Sequence, residues 1–164
     1  MSFEKDFIKT IQEKSGIINS ICSAYFPKLD DFKDARQDVI LQLWRSFPTF
    51  RSESKISTWI YKVALNTIIA KSKKVQKHKL NEPISQAHID QISSSTDLLA
   101  DGTQEFTWLV SKLDDCDKGI FMLLVEGYTN KEIALILNLT ATNVSTRLNR
   151  LKNKLKDRYL NEYK

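Results

Sequence analysis

Glycine and proline are scarce in this 164-residue chain, at four and three residues. That scarcity excludes Gly-rich phosphate loops, collagen-like repeats and most turn-dense β architectures. The two cysteines, Cys22 and Cys116, stand far apart in apolar helical patterns, and there are only two histidines, His78 and His88. Reduced structural thiols and no metal site are expected. No apolar run approaches the roughly 20 residues that cross a bilayer. The opening MSFEKDFIKT alternates charged and apolar residues, unlike a secretory signal. The expectation is a cytoplasmic protein without membrane insertion. Paired carboxylates in an apolar setting, a nucleophile elbow and metal-ligand spacing are also missing, which argues against an enzyme and against a cofactor. No internal repeat occurs at solenoid periods.

What the chain does have is charge, unevenly placed, on a helical background. Hydrophobic residues make up 41% and charged residues 27%, with a net charge of +5, a composition suited to a folded core. Residues 41–79 carry nine basic groups against Glu53 alone, and residues 141–164 carry seven basic groups against two acidic ones. Between these blocks, residues 80–103 hold four acidic groups, no Lys or Arg, no aromatic and a Ser run. Structureless stretches of that length are uncommon inside one compact domain. The pattern predicts an all-α protein of two small helical domains, 1–79 and 104–164, joined by a flexible acidic linker over 80–103.

Apolar spacing predicts two short helices through Phe3, Phe7, Ile8, Ile11 and then Ile17, Ile18, Ile21, Cys22, Tyr25. A third runs from Asp30 to Phe47 on Val39, Ile40, Leu43, Trp44 and Phe47, stopped by Pro48. Trp44, Phe47 and Phe50 read as core. After the turn TFRSES, a long helix is expected over about 55–79, and further helices near 103–113, 115–126, 130–137 and 141–159.

The last two of these form a helix-turn-helix. Thr129 and Glu132 have capping-box spacing. Ile133, Ala134, Leu135 and Leu137 supply the buried side, Asn138-Leu139-Thr140 the turn, and Thr140 the next N-cap. Val144, Leu148, Leu151 and Leu155 pack inward, leaving an opposite face of hydrogen-bonding side chains. Such a helix enters the major groove, where Asn and Arg pair with base edges and Lys or Arg hold phosphates. Candidate DNA contacts are Thr142, Asn143, Thr146, Arg147, Arg150 and Lys154. The alternative is a solvated helix face.

On the long helix, Ile56, Ile60, Val63 and Thr67 make a stripe suited to burial, and Lys55, Trp59, Lys62, Asn66 and Lys73 make a second. Lys tracks phosphates and an aromatic ring stacks on unpaired bases. This face suits single-stranded or opening DNA, with Trp59 as a core residue the competing reading. The run KSKKVQKHK at 71–79 is either more of that surface or a solvated helix end. The helix bearing Trp44 shows Asp34, Gln37, Asp38, Gln42 and Arg45 outward, a mixed polar face able to dock on another protein.

Three segments in order carry a resemblance. DARQDVILQLWRSFPTF resembles the D-L-x-Q-E-x-F-L-x-L-W segment of bacterial sigma factors of the extracytoplasmic-function type, through Asp34, Gln37, Asp38, Leu41, Leu43 and Trp44. SKISTWIYKVALN is similar to that family's S-T-W-L-Y-x-I-A-x-N through Thr58, Trp59, Tyr61, Ala64 and Asn66. LVEGYTNKEIALILNLTATNVSTRLNRLKNKLK resembles its helix-turn-helix through Glu126, Gly127, Lys131, Glu132, Ile133, Ala134, Val144, Arg147, Leu148, Arg150 and Leu155. Ala35 and Arg36 stand where apolar residues are usual, Asn138 replaces the turn Gly, and Asn143 stands beside Val144 where Thr is common. Asn adopts the left-handed backbone that Gly supplies, so the turn survives.

The resemblance implies partners, core RNA polymerase and promoter DNA, with an anti-sigma factor a further candidate. It implies docking through Asp34, Gln37, Asp38, Leu41, Gln42 and Arg45, and capture of the melting −10 element by Lys55, Thr58, Trp59, Lys62, Asn66, Lys73 and Lys74. The C-terminal domain would read the −35 element as duplex. At about 3.3 Å per residue the linker reaches about 80 Å when extended, and elements roughly 18 base pairs apart are separated by about 60 Å. The span is feasible. The competing reading is a helix-turn-helix regulator that acts without forming a polymerase holoenzyme.

Overall fold

A computed structural model describes residues 2–81 and 110–162 of the chain. Apart from Leu80 and Asn81, the acidic linker lies outside the described residues, as does most of the helix expected near 103–113. The protein is all-α, and the chain divides into two compact units, Met1–Asp115 and Cys116–Lys164.

In the first unit, α1 (Phe3–Glu13) and α2 (Ser15–Tyr25) are separated by Lys14 alone, so Gly16 falls in the first turn of α2. Helix α3 (Leu29–Ser46) begins beyond Pro27, with Asp30 and Asp31 in its first turn, where carboxylates favour the helix dipole. Proline cannot continue the backbone ladder, and Pro48 sits in a single 3-10 turn, Phe47–Thr49, that ends α3. The loop that follows contains Ser52 in a left-handed conformation, φ 58°. Helix α4 (Ile56–Asn81) is the longest of the unit, at 26 residues.

The core is built where α2 and α3 lie on α4. Ile18, Ile21 and Cys22 of α2, Ala35, Val39 and Leu43 of α3, and Ile60, Ala64, Leu65 and Ile68 of α4 are all fully buried. Each large aliphatic buried this way contributes roughly 1.5–3 kcal/mol. Ala35, unusual against the family pattern, is one of the inward positions of α3 and fills its place with a methyl group. Arg36, its neighbour, donates from Nε to Asn19 Oδ1 at 2.9 Å, tying α3 to α2. Burial pushes the Cys22 thiol up to about 11, with Arg36 pulling weakly the other way. That thiol is chemically inert near neutral pH.

Two expectations about faces are corrected. The buried stripe of α4 is Ile60, Tyr61, Ala64, Leu65, Ile68 and Ser72, whereas Ile56, Val63 and Thr67 are only half-buried at its margin. Relative to the expected stripe this face is turned by roughly 110°, counting 100° per residue. The reason is tertiary: α2 and α3 approach α4 from the side bearing Tyr61, Leu65 and Ile68. Trp44 likewise lies at the surface, 37% exposed. Its ring is held edge-on by Phe3 and Phe7 at centroid distances of 5.0 Å.

The second unit has α5 (Asp115–Val125), α6 (Asn130–Leu137) and α7 (Ala141–Glu162). Ile120, Leu123, Ile133, Ile136, Leu137, Val144, Leu148 and Leu151 are buried and form the small core of this unit. Helix α5 ends through Gly127 at φ +91°, with Tyr128 N–H donating to Leu123 C=O at 3.1 Å and Gly127 N–H to Leu124 C=O at 3.0 Å. A β-carbon strains that conformation, and glycine avoids the cost. Leu135, expected inside, is 73% exposed, and Ile136 takes the inward position instead. On an eight-residue helix a one-position shift of face costs the apolar count nothing, so packing against α7 decides it.

Candidate nucleic-acid interface

The outward face of α4 is set by the rotation of its core. Lys55, Trp59, Lys62, Asn66 and Lys73 lie roughly 150° from the centre of the buried stripe at 100° per residue. They therefore face away from the core. Lys55, Lys62, Lys73 and Lys74 are exposed, and Thr58, Trp59 and Asn66 are half-buried. Asn66 donates from Nδ2 to Lys62 C=O at 2.7 Å, which draws its amide back along the helix.

Trp59 is neither free nor internal. Its ring lies 5.2 Å from Phe50 and 6.0 Å from Phe47, and Phe47 in turn contacts Phe3 and Phe7 at 5.2 and 5.3 Å. Edge and tilted pairs of this kind are worth about 0.5–1.5 kcal/mol each beyond their buried area. Five aromatic side chains from α1, α3, the 3-10 turn and the loop thus form the cluster that holds the indole at the boundary of the basic face. The sequence placed Phe47 and Phe50 in the core; their support of Trp59 comes from tertiary contacts that periodicity does not encode.

The polar face of α3 lies on the same unit. Asp34, Gln37, Leu41 and Arg45 are exposed and Asp38 and Gln42 half-buried. Leu41 is an apolar residue held in solvent, 45% exposed. Lys71 of α4 reaches this face and donates to Asp34 Oδ2 at 2.8 Å and Asp38 Oδ2 at 2.7 Å. Those hydrogen bonds, first to Asp34 and then to Asp38, raise the Lys71 pKa above its ordinary 10.5. In the sequence Lys71 stands only as one member of the basic run at 71–79.

In the second unit each local signal has its structural counterpart. Glu132 N–H donates to Thr129 Oγ1 at 3.3 Å while Thr129 N–H donates to Glu132 Oε2 at 2.7 Å, closing the capping box. Asn138 takes the left-handed conformation, φ 55° and ψ 44°. Thr140 Oγ1 accepts from Asn143 N–H at 3.0 Å, capping α7. Asn130 Nδ2 donates to Ser145 Oγ at 3.1 Å, bracing α6 against α7. Thr142, Asn143, Thr146, Arg150 and Lys154 are exposed along one side of α7.

Arg147 differs from these five. Its Nη1 donates to Asp117 Oδ1 of α5 at 2.9 Å, and its Nε to Asn143 Oδ1 at 2.9 Å. The two charged side chains are only 28% and 17% exposed. The guanidinium is committed to the fold of the unit and orients Asn143, a tie across helices that sequence spacing did not reveal.

Residues 12–78 match the family described as Sigma-70 region 2. The chain is similar to the ECF RNA polymerase sigma-E factor of Haemophilus influenzae, 25% identical over 141 residues, covering 79% of this chain and 75% of that one. Together these matches support an extracytoplasmic-function sigma factor. The sigma-E factor of Escherichia coli strain K12 is 24% identical over 143 residues, covering 80% of this sigma factor and 74% of the relative. In structure it resembles the sigma factor RpoE solved with the anti-sigma factor NepR from Bartonella quintana, with a TM-score of 0.68, 18% identity and coverage of 93% and 96%. It also resembles CnrH solved with the cytosolic domain of CnrY, with a TM-score of 0.56, 14% identity and coverage of 95% and 88%.

Residues 115–161 match the bacterial regulatory proteins of the luxR family. A helix-turn-helix is common to sigma factors and regulators of other kinds, so the second unit does not discriminate between them. The first unit does, and with it the chain is a sigma factor directing transcription initiation rather than a free-standing regulator. No helix among the described residues is long and apolar enough to cross a membrane.

Proposed function

We propose that this sigma factor divides promoter recognition between its two units in the cytoplasm, without catalysing a reaction itself. The first unit docks on core RNA polymerase through Asp34, Gln37, Asp38, Leu41, Gln42 and Arg45. It holds the opening −10 element on the face of Lys55, Thr58, Trp59, Lys62, Asn66, Lys73 and Lys74. The second unit reads the −35 element through Thr142, Asn143, Thr146 and Arg150, with Lys154 on phosphate and Arg147 orienting Asn143 from behind. The domain division at 1–79, 80–103 and 104–164 is part of the same proposal. So is an acidic linker that follows a basic channel of the polymerase, where amide replacements of Glu82, Asp90, Asp97 and Asp101 should weaken core affinity or initiation.

The observation that carries this reading is the placement of Trp59. A half-buried indole propped by Phe47 and Phe50 beside exposed Lys55 and Lys62 supplies a rigid stacking surface where phosphates are held. Stacking of a base on such a ring is worth roughly 1–3 kcal/mol. In permanganate footprinting, Trp59→Ala should lower promoter opening far more than closed-complex binding. Unchanged opening would return Trp59 to a packing role.

A further inference from the structure

We propose that Lys71 is a positioning residue for the polymerase-docking face, holding Asp34 and Asp38 in the one arrangement in which they meet a basic partner together. This inference rests on the docking role proposed above for those two carboxylates.

Asp34 and Asp38 are four residues apart on α3, so they lie one above the other on the same side of the helix. Like charges at that spacing repel, and two unpaired aspartates would turn to different rotamers. Lys71 arrives from α4, a separate helix, and places one ammonium between them at 2.8 and 2.7 Å. Both bonds use Oδ2, so Oδ1 of each carboxylate takes no part in holding the ammonium. The burial order matters as well. The Lys71 side chain is 22% exposed, whereas those of Asp34 and Asp38 are 66% and 46% exposed. The cation is the inner member, and what the surface presents is acidic, a cluster of two carboxylates and one ammonium with a net charge near −1. Gln37 and Leu41, both exposed, complete the same stripe at helical spacing.

An ion pair between partly exposed groups adds little to folding. Its consequence is for binding: fixing two side chains beforehand removes part of the ordering cost of association. A lysine that competed with the partner for the carboxylates would have the opposite effect.

The full-length protein, carrying a fluorophore, is titrated with core RNA polymerase and its affinity followed by anisotropy, beside a thermal melt of each variant. Lys71→Met should weaken core binding about fivefold or more with little change in the melt, and Lys71→Arg, which keeps a forked cation in place, should recover most of it. In an Asp34→Asn/Asp38→Asn background, Lys71→Met should add less than about twofold, because the groups it positions are gone. Native or tighter core binding by Lys71→Met, while the double Asn variant is weakened, overturns the positioning role and leaves the docking face standing. Native binding by the double Asn variant overturns both. If Lys71→Met melts early, affinities are compared at a temperature where every variant is fully folded: a loss of core binding that persists there supports positioning, and native binding there overturns it.

Discussion

In the second unit the ends and the turn of the helix-turn-helix are shaped by neighbours in sequence: Thr129 with Glu132, Thr140 with Asn143, and Asn138 at its left-handed turn. In the first unit α4 is oriented from far along the chain, by α2 and α3, and its Lys71 reaches back to Asp34 and Asp38. The two units are therefore vulnerable in different places. A motif built from local caps keeps its shape in a small core and tolerates divergence outside it. A long helix built from tertiary contacts keeps its outward face only as long as its partners stay in place.

Core truncation should separate the units most sharply. Leu43→Ala in the first unit and Ile120→Ala in the second each remove a fully buried side chain and should cost about 2–5 kcal/mol. Urea unfolding followed by Trp fluorescence and by far-UV dichroism should show each variant lowering the transition of its own unit. A single shared transition lowered equally by both would break the comparison. Next in size is Arg150, exposed on α7. Arg150→Ala should lose about 1–3 kcal/mol of −35 binding if it pairs with a base edge. The loss should be selective for the native element; an equal loss on scrambled DNA would reassign Arg150 to phosphate.

Loss of the local cap is smaller. Thr129→Ala removes one half of the capping box and should destabilise the second unit by about 1 kcal/mol, leaving the first unit unchanged in the same unfolding experiment. Smallest is the alkaline response of the first unit. Lys71 has its pKa raised in the fold, so its ion pairs stabilise fully below the ordinary lysine value of 10.5 and the contribution fades as pH rises through the raised value. Tyrosines titrate in the same region, so the readout is a difference. The stability gap between the native protein and Lys71→Met should narrow on going above that pH, and a constant gap would remove the ion pairs from the account of this unit.

The same contrast explains what could be read from the sequence. Capping, the Asn turn and the inward row of Val144, Leu148 and Leu151 are local chemistry with fixed spacing and are present in the structure, while Leu155, expected in the same row, is only half-buried toward the end of α7. The helical character of α1 to α4 was legible too, since it needs only apolar periodicity. Which face of α4 is buried was not: the helix is long, with apolar residues on more than one side, and Tyr61, Leu65 and Ile68 are chosen by α2 and α3. Trp44, Leu135 and the pairing of Arg147 with Asp117 were missed for that reason as well. Each depends on which residue of another helix stands opposite, a fact without a signature in local spacing. The basic row of α4 was legible as a row, and its distance from the core was set by the same packing.

Run-off transcription with purified core RNA polymerase, on the region upstream of this protein's own coding sequence and on variants of each promoter element, tests the division of labour most directly. The full chain should direct a defined transcript that is lost when either the −10 or the −35 element is scrambled, with Trp59→Ala failing at the first and Arg150→Ala insensitive to the second. A protein that neither co-elutes with core polymerase nor supports a transcript, yet binds duplex DNA alone as a dimer, would contradict it.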